Sequence, residues 1–306
     1  MAAPHPFQAL NLILFLLATP FSASESTPTS WPCQDHCGSL PVRYPLGTGP
    51  GCGDPRFAAS VSCKNNQFLF TTHTGSYPIL SIDYAQSRML VSDPRMSTCM
   101  AMQSSSGFAL DWAAPFQLDG SVFALLACND PSRLVHDGSS LCDMASSHIC
   151  SSLGGCAAMS TLGVQPFSPE AASTCCVYAP INLGPAHEVN LTQLGCKGYA
   201  AVAGFGDTPT DPARWSYGVA LHYSYGLGNG YLPAVCDACQ RSGGACGYAG
   251  TSLRVSFVCV CKTGVNTTSD CYAQQGLWGG GFRRGASVLG LVMTGSFWAA
   301  FMAAGR

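Results

Sequence analysis

Residues 33–63 read CQDHCGSLPVRYPLGTGPGCGDPRFAASVSC, which places four cysteines, five glycines and four prolines in 31 residues. Proline removes a backbone donor and glycine weakens helix interiors, so this stretch predicts a loop-rich, stapled unit with no long helix. The next runs are Gln67–Thr72 (QFLFTT), Pro78–Tyr84 (PILSIDY) and Arg88–Ser92 (RMLVS). They are bounded by Gly, Pro, Asn and Asp, which is how small β-domains are punctuated. Gly120–Cys128, Cys176–Ala179, Trp215–Tyr225 and Leu253–Val260 predict further strands. In the last of these Val255, Phe257 and Val258 alternate imperfectly, as in an edge or half-buried strand. No segment outside the terminal tails sustains a helical period over three turns. The expected fold class is mainly β, with small disulfide-rich β modules in tandem between a signal peptide and a C-terminal hydrophobic tail.

All 18 cysteines lie between Cys33 and Cys271. Cys33, Cys37, Cys52, Cys63, Cys99 and Cys128 mark an N-terminal module, 25–128, and Cys142, Cys150 and Cys156 a stapled connector, 129–174, with one short helix. Cys175, Cys176, Cys196, Cys236, Cys239, Cys246, Cys259, Cys261 and Cys271 mark a C-terminal module, 175–275. An even count predicts nine disulfides and an oxidising compartment, with the pairing open. Cys236-x2-Cys239 alone would also suit zinc, but no histidine sits at the matching spacing, and disulfides are expected.

Charge is scarce: 14 Lys+Arg and 16 Asp+Glu give a net −2 and only 10% charged residues, against roughly 25% for an ordinary domain. That balance excludes nucleic acid as a partner, because counterion replacement on phosphates needs many cations. Leu10–Ala18 (LNLILFLLA) followed by small residues predicts a signal peptide, 1–24. Ala286–Ala304 is uncharged, and Gly279 to Gly281 precede it. The tail 276–306 therefore predicts a GPI signal with Gly279 as attachment site, the alternative being a retained transmembrane helix. Asn190 and Asn266 head glycosylation sequons. No nucleophile elbow, H-E-x-x-H signature or phosphate loop is found, so neither catalysis nor a metal or cofactor is expected.

Cys33-x3-Cys37-Gly38, Val42-Arg43-Tyr44-Pro45-Leu46-Gly47, Gly51-Cys52-Gly53-Asp54-Pro55-Arg56-Phe57 and Cys63 together resemble the galacturonan-binding module of plant wall-associated receptor kinases. Leu46 stands where that pattern usually has Phe. Cys236-x2-Cys239, Ser242-Gly243-Gly244, Cys246-Gly247-Tyr248 and Phe257-x-Cys259-x-Cys261 are similar to the cysteine-rich domain that accompanies it. The resemblance implies an ectodomain that binds pectic polysaccharide, and the expected tail holds it at the outer face of the plasma membrane. In a departure from that family no kinase domain is found, so no kinase activity is expected. The alternative is a protein-interaction ectodomain whose partner is a membrane receptor or a secreted peptide. A uronate polymer calls for arginine forks and aromatic faces. Arg43, Tyr44, Arg56, Lys64 and Arg88 are the candidate contacts, with Phe57, Tyr77 and Tyr84 as further platforms.

Overall fold

The computed structural model describes residues 32–111, 113–136, 139–178, 188–224, 231–251 and 254–272. The expected signal peptide, the C-terminal tail and Gly279 lie outside them. A two-residue hairpin of β1 (His36–Cys37) and β2 (Leu40–Pro41) opens the chain. A meander follows: β3 (Val61–Lys64), β4 (Gln67–Thr72), β5 (Gly75–Asp83) and β6 (Arg88–Val91). The β3–β4 turn carries Asn65 and Asn66 at φ 51° and 60°. Two successive positive φ values are what a type I′ hairpin turn requires, and Asn tolerates them.

Then come β7 (Gly107–Ala109), β8 (Phe116–Leu118), β9 (Val122–Leu126), β10 (Val135–His136) and β11 (Ser139–Ser140). The later strands are β12 (Cys176–Tyr178), β13 (Glu188–Asn190), β14 (Gly198–Gly204), β15 (Ser216–Tyr217) and β16 (Val219–Tyr223). The meander grows into a six-stranded sheet because β16 pairs with both β6 and β8. A second sheet has the order β12-β9-β14-β15. Both sheets therefore take strands from either side of the 129–174 segment.

Alternation along β4 turns Phe68 and Phe70 inward. Phe116 packs edge-on against Phe57 and Phe70, with ring centroids 5.3 and 4.8 Å apart. Phe57 and Tyr77 are thus core residues, at 0% and 1% exposure, and cannot serve as sugar platforms. β9 is buried on both faces, which explains its unbroken apolar run. Phe123 and Leu125 join the core that contains Phe57, while Ala124 and Leu126 join a second core. That second core is closed by the helix Ser147–Gly154 and the 3-10 turn Ala157–Leu162 through Ile149, Leu153, Met159 and Leu162. The expected connector is thus a helical layer over the second sheet.

Nine disulfides use all 18 cysteines: 33–52, 37–63, 99–156, 128–196, 142–176, 150–175, 236–246, 239–259 and 261–271. Longer closed loops remove more unfolded-state entropy, so the 68-residue separation of Cys128 and Cys196 contributes on the order of 4 kcal/mol.

The last six cysteines form a small unit of their own: the helix Tyr231–Arg241 and a sheet of β17 (Ala245–Thr251), β18 (Arg254–Val260) and β19 (Asn266–Thr267). The helix runs three turns, contrary to the expectation of none. Pro233 falls in its first turn, where no intrahelical N–H bond is lost. Among its residues whose burial is described, the buried positions are Cys236 and Cys239, whose spacing reads as covalent before it reads as periodic. β18 is the central strand of three, not an edge.

Candidate functional site

Disulfides 33–52 and 37–63 clamp the opening stretch into a compact loop over the β1–β2 hairpin. The Val42 N–H donates to the Asp35 carbonyl at 2.7 Å, and the Asp54 N–H to the Pro45 carbonyl at 2.8 Å. Gly53 has φ +71°, and a Cβ there would meet the Gly47 nitrogen at 2.7 Å, so only glycine lets these two backbones touch.

The C-terminal cysteine unit docks on this loop through main chain. The Gly53 N–H donates to the Cys246 carbonyl, and the Tyr248 N–H to the Gly51 carbonyl, both at 2.8 Å. Cys33, Cys52 and Val260 form a small shared core beneath these bonds. Tyr44 packs against the cluster of six C-terminal cysteines.

The seam leaves a cleft of about 410 Å³. Gln34, Asp35, His36, Arg43 and Tyr44 line it from the first loop, and Gln240 and Lys262 from the cysteine unit. Arg43 is exposed, and its guanidinium carbon lies 5.9 Å from the Tyr84 ring centroid. Tyr84 is fixed in turn: its hydroxyl accepts from the Arg43 N–H at 3.0 Å and donates to the Pro41 carbonyl at 2.8 Å. Burial raises the Tyr84 pKa, so the phenol stays neutral. His36 Nδ1 lies 3.2 Å from Asp35 Oδ1, and this hydrogen bond holds the Asp35 carboxyl below its usual range. Two cations, Arg43 and Lys262, therefore share the cleft with one carboxylate, beside the half-buried ring of Tyr44.

The other expected contacts are placed differently. Arg56 donates from Nε to Asp54 Oδ1 at 3.0 Å and from Nη2 to Oδ2 at 2.7 Å, and lines neither this cleft nor its neighbour. Arg88 pairs with Asp119 at 2.6 Å and also lines neither. Lys64 lines the neighbouring cleft. Gln240 and Lys262 escaped sequence reasoning, although each directly follows a disulfide cysteine whose position the staples fix.

Cys259, Cys261 and Cys271 bring their sulfurs within 4.8 Å of one another. All three are in disulfides, as are both members of Cys236-x2-Cys239, so these sulfurs are committed to S–S bonds and not to metal.

Residues 33–93 match the family model for wall-associated receptor kinase galacturonan-binding. Wall-associated receptor kinase-like 20 of Arabidopsis thaliana is 25% identical over 189 residues, 59% of this chain and 26% of the relative. Wall-associated receptor kinase-like 15 of the same plant is 34% identical over 37% of this chain and 18% of the relative. Wall-associated receptor kinase 5 is 26% identical over 49% and 17%. The chain thus spans about a quarter or less of the length of these relatives. No solved structure matches it. Nine disulfides and this kinship mark an extracellular protein. Residues 33–93 thus carry a domain that matches the wall-associated receptor kinase galacturonan-binding family.

Proposed function

We propose that this protein binds the galacturonan of pectin in the cleft between the first disulfide loop and the C-terminal cysteine unit. It does so as a non-catalytic ectodomain at the outer face of the plasma membrane, with its C-terminal tail as the membrane attachment. The observation that carries the reading is the pairing of Arg43 and Lys262 around Tyr44 within a cleft lined by the matched domain. The arginine fork suits a uronate carboxylate, the ring suits the apolar face of a pyranose, and Gln34 and Gln240 can bond sugar hydroxyls.

The test is direct binding of polygalacturonate to the full chain at low and high salt. Arg43→Ala and Lys262→Ala are each expected to weaken binding by about five- to tenfold, the scale of one solvent-exposed charged contact. Added salt should weaken wild-type binding as exposed charges are screened. Salt-independent binding, or an unchanged affinity in both variants, would sink the assignment and favour a protein ligand.

Glycosylation is proposed at both sequons. Asn266 is exposed on β19. Asn190 caps the helix Leu191–Leu194 by accepting from the Gln193 N–H at 3.1 Å through Oδ1. Asn266→Gln should lower the mass of the secreted protein by one glycan at no cost in stability. Asn190→Gln should do the same and also lose about 1 kcal/mol with its cap. Intact-mass analysis with thermal unfolding checks both.

A further inference from the structure

The second cleft encloses about 460 Å³ and shares Gln34 and Gly47 with the first as a common wall. Lys64 is the single charged residue lining it among the described residues, and it makes no ion pair among them. Ser62 adds a hydroxyl and Tyr248 a half-buried ring. Thr48 also lines it, at 5% exposure, and its hydroxyl finds no hydrogen-bond partner among the described residues. A sealed hydroxyl without a partner is costly, and a small shift of the cleft wall on binding would let a ligand hydroxyl pair with it.

The two clefts are built by the same seam. The backbone bond from Tyr248 to Gly51 sets the Tyr248 ring in the second cleft, while its neighbour from Gly53 to Cys246 sets the cysteine unit that carries Lys262 into the first. Cations thus lie on both sides of the Gln34–Gly47 wall, with Arg43 and Lys262 on one side and Lys64 on the other. A compact anionic ligand could use only one side. A linear polyanion with a carboxylate on every ring could use both.

We propose that the second cleft is a further uronate subsite and that one galacturonan strand crosses the Gln34–Gly47 wall to occupy both clefts. This rests on the galacturonan reading of the first cleft. Its consequence is selection for length: a long oligomer gains the Lys64 contact, and a short one fills the first cleft alone.

The experiment is calorimetric titration of the full chain with digalacturonate and octagalacturonate at low salt, using wild type, Lys64→Ala, Thr48→Val and Arg43→Ala. Wild type should bind the octamer more tightly than the dimer. Lys64→Ala should weaken the octamer about tenfold and leave the dimer unchanged. Thr48→Val keeps the side-chain shape, and it should weaken the octamer severalfold without lowering the unfolding temperature. Arg43→Ala should weaken both ligands. If Arg43→Ala weakens both while Lys64→Ala and Thr48→Val alter neither, or alter dimer and octamer equally, the second subsite is overturned and the first cleft stands. If wild type binds neither oligomer, the galacturonan reading falls and the second subsite with it.

Discussion

Replacing Arg56 by alanine is expected to remove about 3 kcal/mol of stability at neutral pH, more than its position on the surface suggests. The reason is Asp54, whose side chain is 5% exposed while Arg56 is 37% exposed. The guanidinium covers both carboxylate oxygens, the Arg56 N–H adds a bond to Oδ1 at 3.0 Å, and the Tyr44 hydroxyl donates to Oδ2 at 3.2 Å. Removing one partner of such a pair leaves a buried charge uncompensated. Solvent reaches the arginine side of the pair, which places the loss at the lower end of the range for buried ion pairs.

The pH dependence separates this cause from lost packing. Burial is the largest single influence and pushes the Asp54 carboxyl up. The side-chain and backbone bonds from Arg56, its charge and the Tyr44 hydroxyl together more than reverse it, so the native carboxyl sits below its usual range. A depressed folded pKa contributes stability that is fully present above the unfolded carboxyl value, near ~4, and is lost as pH falls through the folded value. In Arg56→Ala the guanidinium's bonds and charge are lost while the burial, the residue-56 N–H and the Tyr44 hydroxyl remain, and the carboxyl shifts upward. Protonation then relieves the variant. The stability gap between wild type and variant should therefore narrow from neutral pH to about pH 3. Denaturant unfolding with the disulfides intact measures it, and a gap of constant size would assign the loss to packing. Because Asp54 also holds the Tyr44 hydroxyl, the variant should bind galacturonan less tightly although Arg56 does not line the cleft.

That contrast shows what spacing could and could not convey. Gln67–Thr72 is a strand with the predicted bounds because alternation and flanking turn residues are local signals. Asp54 before Pro55 reads as a turn, and it is one, with the Arg56 N–H bonded back to the carboxylate. The burial of that carboxylate is set by tertiary packing, so Arg56 read as a free cation. β16 completes the first sheet from more than 100 residues beyond β6, a pairing that no local pattern encodes. Arg43 and Tyr44 were legible as candidate contacts because their own loop carries the motif, and both line the cleft. Gln240 and Lys262 were not, because their place in the cleft depends on how a separately stapled unit docks.

That docking is open to a single-residue test. Gly247 lies in β17 opposite Cys52, and a Cβ there would overlap the Gly51 carbonyl oxygen. The obstruction is backbone against backbone, so no rotamer change relieves it. Gly247→Ala should break the bonds from Tyr248 to Gly51 and from Gly53 to Cys246. Each is worth about 1 kcal/mol, and with the exposed shared core the expected loss is about 3 kcal/mol. The three disulfides internal to the cysteine unit keep that unit folded while it separates from the first loop. Hydrogen exchange should accordingly speed up at the Gly53 and Tyr248 amides and stay slow along the β17–β18 pairing. Both clefts lose a wall in this variant: Lys262 and Gln240 from the first, Tyr248 from the second. Affinity for a long galacturonan should then fall by more than the roughly tenfold expected of any single cation variant. Faster exchange with unchanged affinity would place the binding surface wholly on the first loop and remove the cysteine unit from the site.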